Sequence, residues 1–160
     1  MSITVGDKLP EATFTIMDGG PKQVSASDVF AGKRVALFAV PGAFTPTCSE
    51  HHLPGFIGHA DALKAKGVDL VACTAVNDVF VLDAWAKASG AEGVVTMLAD
   101  GSAAFAKALG LDVDLGPFGL GTRSKRYAMI VEDGAVKYLA IEDSPPEHSK
   151  ATAEKLLAAL

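Results

Sequence analysis

One stretch of this chain combines residue types that could do nucleophilic chemistry. Val40-Pro41-Gly42-Ala43-Phe44-Thr45-Pro46-Thr47-Cys48 closes an apolar run and opens a helix-compatible one. With Thr45 as N-cap, Pro46 takes the first helical position, where its missing N–H costs nothing, and Cys48 falls in the first turn. Free backbone N–H groups and the positive end of the helix dipole there favour a thiolate over a thiol. Lowering a cysteine pKa from ~8.5 by roughly three units requires about 4 kcal/mol of preferential stabilisation. A helix end supplies only about 0.3 to 1 kcal/mol, or about 2 in buried geometry, so a nearby cation has to make up the difference.

Arginine suits that role because it stays charged and its fork can engage both sulfur and an oxygen of a bound substrate. The arginines are Arg34, Arg123 and Arg126. Arg34 opens a strand at the end opposite the Cys48 loop, whereas Arg123 and Arg126 both stand at the edge of a glycine-rich segment and are both candidates. The competing interpretation of Cys48 is an inert thiol filling space near a helix start. A zinc site built from Cys48, His51 and His52 is disfavoured, because adjacent helical residues point about 100° apart and tetrahedral ligands must converge. His52 is read instead as local packing, with His51 and Glu50 in solvent.

The elements that must position these residues follow from periodicity. Residues 34–40 and 68–76 are short runs rich in Val, Ala and Leu, the pattern of buried strands. Residues 47–66 carry helical spacing between them. A second helix is predicted over 78–89 with Gly90 as its stop, then a strand near 94–98 and a helix over 102–109. The segment 110–122, rich in glycine, reads as an irregular exposed loop. Strands 127–132 and 136–141 are joined through Asp133-Gly134, a strong hairpin signal, and 149–160 forms an amphipathic terminal helix with Leu156, Leu157 and Leu160 on one side. Residues 13–17 and 23–25 around Asp18-Gly19-Gly20 form a small N-terminal hairpin. This order predicts one α/β domain over residues 1–160, a mixed sheet flanked by helices with an antiparallel edge.

Composition narrows the function classes. The 160 residues are 49% hydrophobic and 21% charged, which fits a globular fold. Fourteen Lys and Arg against nineteen Asp and Glu give a net charge of -5, the wrong sign for binding a phosphate backbone, so nucleic acid is not an expected partner. The strongest apolar run, 35–40, is stopped by Pro41 and Gly42, far short of the roughly 20 residues of a membrane span. Without a basic, apolar leader pattern at its start, the chain takes a cytoplasmic address as the default expectation. The two cysteines, Cys48 and Cys73, are too few for a disulfide framework and form no C-x-x-C motif.

The stretch from Pro41 to Cys48, with Ser49 and His52-Leu53-Pro54-Gly55-Phe56, resembles the active-site signature of peroxiredoxins, in particular the type II or peroxiredoxin-five branch. Val71-Ala72-Cys73, Val76-Asn77-Asp78, Trp85 and Gly121-Thr122-Arg123-Ser124-Lys125-Arg126-Tyr127 extend the likeness over nearly the whole chain. The resemblance implies a thioredoxin-like fold, a homodimer and a thiol peroxidase needing no metal or organic cofactor. It implies that Cys48 attacks a hydroperoxide, that Thr45 donates its hydroxyl to the bound peroxide, that Pro41 walls the pocket, and that Arg126 is the family's invariant arginine. The reaction would be in-line attack of the thiolate on the nearer peroxide oxygen, leaving a sulfenic acid.

Some type II relatives carry a resolving cysteine in the segment matching residues 148–152, and this chain has none there. Cys73 is the remaining candidate, but its place in the run 68–76 makes a buried structural thiol the simpler interpretation. An external reductant is therefore expected, glutathione with glutaredoxin by resemblance, with thioredoxin as the alternative. Two other functions share parts of the site. A Cys–His hydrolase would need a histidine base, for which His148 is the distant candidate, and a redox sensor or holdase chaperone would share the oxidisable Cys48 but pass its oxidation to a partner protein without turnover.

Overall fold

The protein, described here by a computed structural model, is defined for residues 2–144 and 147–160, with the side chains of Cys48 and Glu50 outside that description. The expected orientation of the Cys48 thiol, the expected exposure of Glu50 and residues 145–146 of the tail therefore lie outside the described residues.

A seven-stranded mixed sheet forms the centre, in the order β2-β1-β5-β4-β3-β8-β9. Its strands are β1 (Thr13–Met17), β2 (Pro21–Ser25), β3 (Arg34–Ala39), β4 (Leu70–Ala75), β5 (Thr96–Ala99), β8 (Tyr127–Glu132) and β9 (Ala135–Ile141). β3, β4 and β5 run parallel, while β1 and β8 are antiparallel to their neighbours β5 and β3. The fold is thioredoxin-like, as expected.

Side-chain alternation along β3 explains how the sheet is covered on both sides. Val35, Leu37 and Ala39 pack in a cluster with Phe30 of α1 (Ala26–Phe30) and Phe105 and Leu109 of α4 (Ala104–Leu109). Ala36, Phe38 and Val40 point the other way, into a cluster with Phe56 and Leu63 of α2 (Leu53–Ala65), Trp85 of α3 (Val79–Ser89) and Leu156 of α5 (Ala153–Ala159). Phe38 and Phe56 stack with ring centroids 4.0 Å apart, which seats α2 on the strand that delivers the Cys48 loop.

Several expected elements change shape. The helix expected over 47–66 begins as a wider π-helical turn over Cys48–His52 before α2 proper. Pro54 lacks an N–H and its ring would clash with the carbonyl four residues back, so a wider winding accommodates it. The expected loop 110–122 instead contains β6 (Asp112–Asp114), paired antiparallel with β7 (Thr122–Ser124) around a 3₁₀ turn over Gly116–Phe118. Three-residue strands leave too short a pattern to read among glycines. The helix α1 was also not foreseen, although Ser25 and Asp28 form a reciprocal capping box at its start. The terminal helix begins at Ala153 rather than 149, capped by Thr152, because the amides of Ser149, Lys150 and Ala151 are bound to the Glu142 carboxylate. The Asp133-Gly134 turn is as expected, with both residues at positive φ.

Candidate active site

Strand register decides which residues meet. Ala39 pairs with Thr74 on one side and Tyr127 on the other, and Tyr127 pairs with Ile141. The Pro41–Cys48 loop after β3, Asn77 after β4, Arg126 before β8 and Glu142 after β9 therefore emerge along one edge of the sheet. Arg34, at the far end of β3, pairs with Glu132 at 2.6 Å and takes no part.

The loop is braced by Asn77 and by Arg123. The Ala43 amide donates to Asn77 Oδ1 at 3.0 Å. Arg123 donates from Nη1 to the Pro41 carbonyl at 3.3 Å and from Nε to the Leu120 carbonyl at 2.8 Å. A β-carbon at Gly42 would lie 2.8 Å from Arg123 Nη1 and 3.2 Å from Thr45 Cγ2, so a side chain there would displace the tip of Arg123 from the loop. Pro41 is buried and Phe44 turns outward, 55% exposed at φ 64°.

Thr45 takes the backbone role of N-cap, since the Ser49 amide donates to its carbonyl at 2.9 Å. Its hydroxyl donates to the Gly42 carbonyl at 2.7 Å. That bond commits the single hydroxyl proton and leaves the lone pairs as acceptors. In this arrangement the hydroxyl presents acceptor lone pairs. One residue past Cys48, Ser49 Oγ accepts from the indole N–H of the buried Trp85 at 3.0 Å, tying the turn to α3.

Between the two arginine candidates the structure separates the roles. Arg123 clamps the Pro41 backbone. Arg126 is 2% exposed and donates from Nη1 to His52 Nδ1 at 2.9 Å, placing a buried cation beside the turn that contains Cys48. His52 Nε2 lies 2.7 Å from the Ala151 carbonyl oxygen. Arginine can only donate and a carbonyl can only accept, so His52 must carry its proton on Nε2 and present Nδ1 as the acceptor. Burial pushes the His52 pKa well below its ordinary value, and the positive charge of Arg126 adds to this. Because the partner is a neutral imidazole, this bond holds the guanidinium without cancelling its charge. Sequence reading assigned His52 to packing, and its ring does lie against Phe38 and Phe56. Its contact with Arg126, 74 positions away, left no local signal.

Cys73 is fully buried in β4, hydrogen-bonded on both sides within the sheet opposite Phe38 and Met97. His148, distant in sequence, lies close to His52 with ring centroids 4.9 Å apart, and burial lowers its pKa together with the charge of Arg126. Among the described residues no group of three or more His, Cys, Asp or Glu side chains is placed to hold a metal ion.

Residues 4–157 match the family model Redoxin. The chain is 48% identical over 164 residues to peroxiredoxin-2E, chloroplastic, of Arabidopsis thaliana, covering 99% of this chain and 70% of that protein. It is similar to Prx3 of Vibrio vulnificus, solved reduced in complex with H₂O₂, at a TM-score of 0.93 and 54% identity over 98% of this chain and 95% of that one. Peroxiredoxin 5 of Alvinella pompejana aligns at a TM-score of 0.86 and 34% identity, covering 98% and 97%.

Proposed function

Since this chain belongs to the redoxin family and is a peroxiredoxin, a thiol peroxidase, we propose that Cys48 is its nucleophile and that it works as a one-cysteine enzyme of the type II branch. The observation that most supports this reading is the buried Arg126 guanidinium, held by a neutral His52 at the turn that includes Cys48. A fixed cation there supplies the stabilisation that the helix end alone lacks.

In the proposed reaction the Cys48 thiol ionises and its sulfur attacks the nearer oxygen of the hydroperoxide. The S–O bond forms as the O–O bond breaks. Sulfur is oxidised by two electrons to sulfenic acid, and the departing hydroxide or alkoxide takes up the proton the thiol released. Arg126 and the first-turn amides offset charge on the departing oxygen, Thr45 accepts from the peroxide O–H, and Pro41 walls the pocket. The H₂O₂ complex of the Vibrio vulnificus relative supports hydrogen peroxide as a substrate.

An external thiol completes the cycle. One glutathione displaces water from the sulfenic acid to form a mixed disulfide, and a second, delivered through glutaredoxin, releases the Cys48 thiol and glutathione disulfide. Thioredoxin is the alternative electron donor. The burial of Cys73 within the central strands argues against a resolving role. A homodimer is part of this reading, as the sequence resemblance to the type II branch implies.

Peroxide-dependent oxidation of glutathione with glutaredoxin present, measured for wild type, Cys48→Ser and Cys73→Ser, tests the reading. Turnover lost in Cys48→Ser and kept in Cys73→Ser supports it. Loss in both would make Cys73 a resolving partner, and retention in Cys48→Ser would overturn the central assignment.

A further inference from the structure

The buried acid Glu142 has no part in the chemistry proposed above, yet it is the best-connected carboxylate described. It is 4% exposed and follows β9 at the sheet edge beside Arg126, to whose carbonyl its own amide donates at 3.0 Å. Its Oε2 accepts from the amides of Ser149, Lys150 and Ala151 at 2.8, 2.7 and 2.7 Å. Burial opposes ionisation of this carboxyl, but the three amides outweigh it and hold the pKa below the usual range. Buried acids are rare unless their charge has partners, and here the partners are consecutive backbone donors.

The last residue so gathered, Ala151, presents its carbonyl to His52 Nε2, and His52 Nδ1 accepts from Arg126 Nη1. The contacts close a ring. Arg126 backbone leads to Glu142, Glu142 to the 149–151 backbone, Ala151 to His52, and His52 back to the Arg126 side chain. Were the Ala151 carbonyl displaced, His52 could carry its proton on Nδ1 and would then face Arg126 donor to donor.

We infer that Glu142 and His52 are positioning residues for Arg126, with Glu142 fixing the 149–151 backbone so that the Ala151 carbonyl enforces the one His52 tautomer able to orient the guanidinium. The inference rests on the reading that Arg126 acts on the peroxide. It adds that the reactivity of the site is set partly from Glu142 and the 149–151 backbone, which reach the Arg126 carbonyl through the Glu142 amide and the guanidinium through His52.

The test uses the full-length protein with two readouts, the second-order rate of Cys48 oxidation by H₂O₂ and the ¹⁵N ring shifts of His52. Glu142→Gln removes the charge that gathers the three amides. Its rate is expected to fall about 10-fold, less than the loss of a charge-stabilising donor outright, and the His52 shifts should move from the Nε2–H tautomer toward a mixture. His52→Asn keeps an acceptor near the position of Nδ1 and should stay within about 3-fold of wild type, whereas His52→Gln places its amide near Nε2 and should lose about 10-fold or more. An unchanged tautomer in Glu142→Gln, or equal rates for His52→Asn and His52→Gln, would overturn the inference, and the His52 pair decides it if Glu142→Gln does not fold. Arg126→Ala separates the two levels. If it reacts as fast as wild type, the role given to Arg126 fails while the tautomer measurement still judges the ring of contacts.

Discussion

The bond between Trp85 and Ser49 allows a sharp quantitative expectation. Trp85 is the one tryptophan of the chain, it is fully buried, and its indole N–H has Ser49 Oγ as acceptor at 3.0 Å. Ser49→Ala removes the acceptor and leaves the donor in a dry core, which costs about 1 to 3 kcal/mol. For a domain of this size that corresponds to a fall in Tm of roughly 2 to 4 °C per kcal/mol. Trp85→Phe removes the donor itself, so in that background Ser49→Ala orphans nothing and should cost less than about 0.5 kcal/mol. Urea unfolding followed by far-ultraviolet circular dichroism suits all four proteins, since fluorescence is lost with Trp85. Because Ser49 adjoins Cys48 in the π-helical turn, Ser49→Ala should also slow reaction with H₂O₂. An equal cost of Ser49→Ala in both backgrounds would refute the reasoning.

Gly42→Ala places a methyl 2.8 Å from Arg123 Nη1, whose partners are Pro41 and Leu120; destabilisation of about 1 to 3 kcal/mol is expected by thermal unfolding, shrinking in an Arg123→Ala background where the contact is gone. Stability should also fall as pH is lowered below about 6.5, because the unfolded chain protonates His52 near its ordinary value while the folded site, with its pKa depressed by burial, stays neutral. Glu142 adds a lower step of the same sign, present above its ordinary range and lost as pH falls through its depressed folded pKa, and denaturant midpoints from pH 8 to about 3 should fall less steeply below about 6.5 in His52→Asn, where His148 keeps a step of the same sign. As a control, Glu132→Gln breaks an ion pair whose side chains are each 37% exposed; it should cost no more than about 1 kcal/mol, diminish with salt and leave peroxide turnover unchanged.

The sheet and its chemistry-bearing loop were legible because their signals are local. The runs at 34–40 and 68–76 are apolar on both faces, as strands covered on both sides must be, and Asp133-Gly134 announces its turn through two positive φ angles. Thr45-Pro46 marks a helix start by capping chemistry alone. What stayed hidden depends on residues distant in sequence. The choice between Arg123 and Arg126 turns on which reaches His52 and which reaches Pro41, and only the register of β8 against β3 decides that. The delayed start of α5 likewise follows from Glu142 capturing three amides, and the proton committed by Thr45 to Gly42 depends on the fold of the loop. No periodicity encodes either.

The central claim, that the Cys48 sulfur is the nucleophile that attacks peroxide and takes up its oxygen, is tested most directly by mass spectrometry of the reduced protein after one equivalent of H₂O₂, with a sulfenic-acid trap present. The trap should be found on the peptide containing Cys48 and absent from that containing Cys73, and Arg126→Ala should slow its appearance. A trap on Cys73 instead, or equal labelling in Cys48→Ser, would contradict the account.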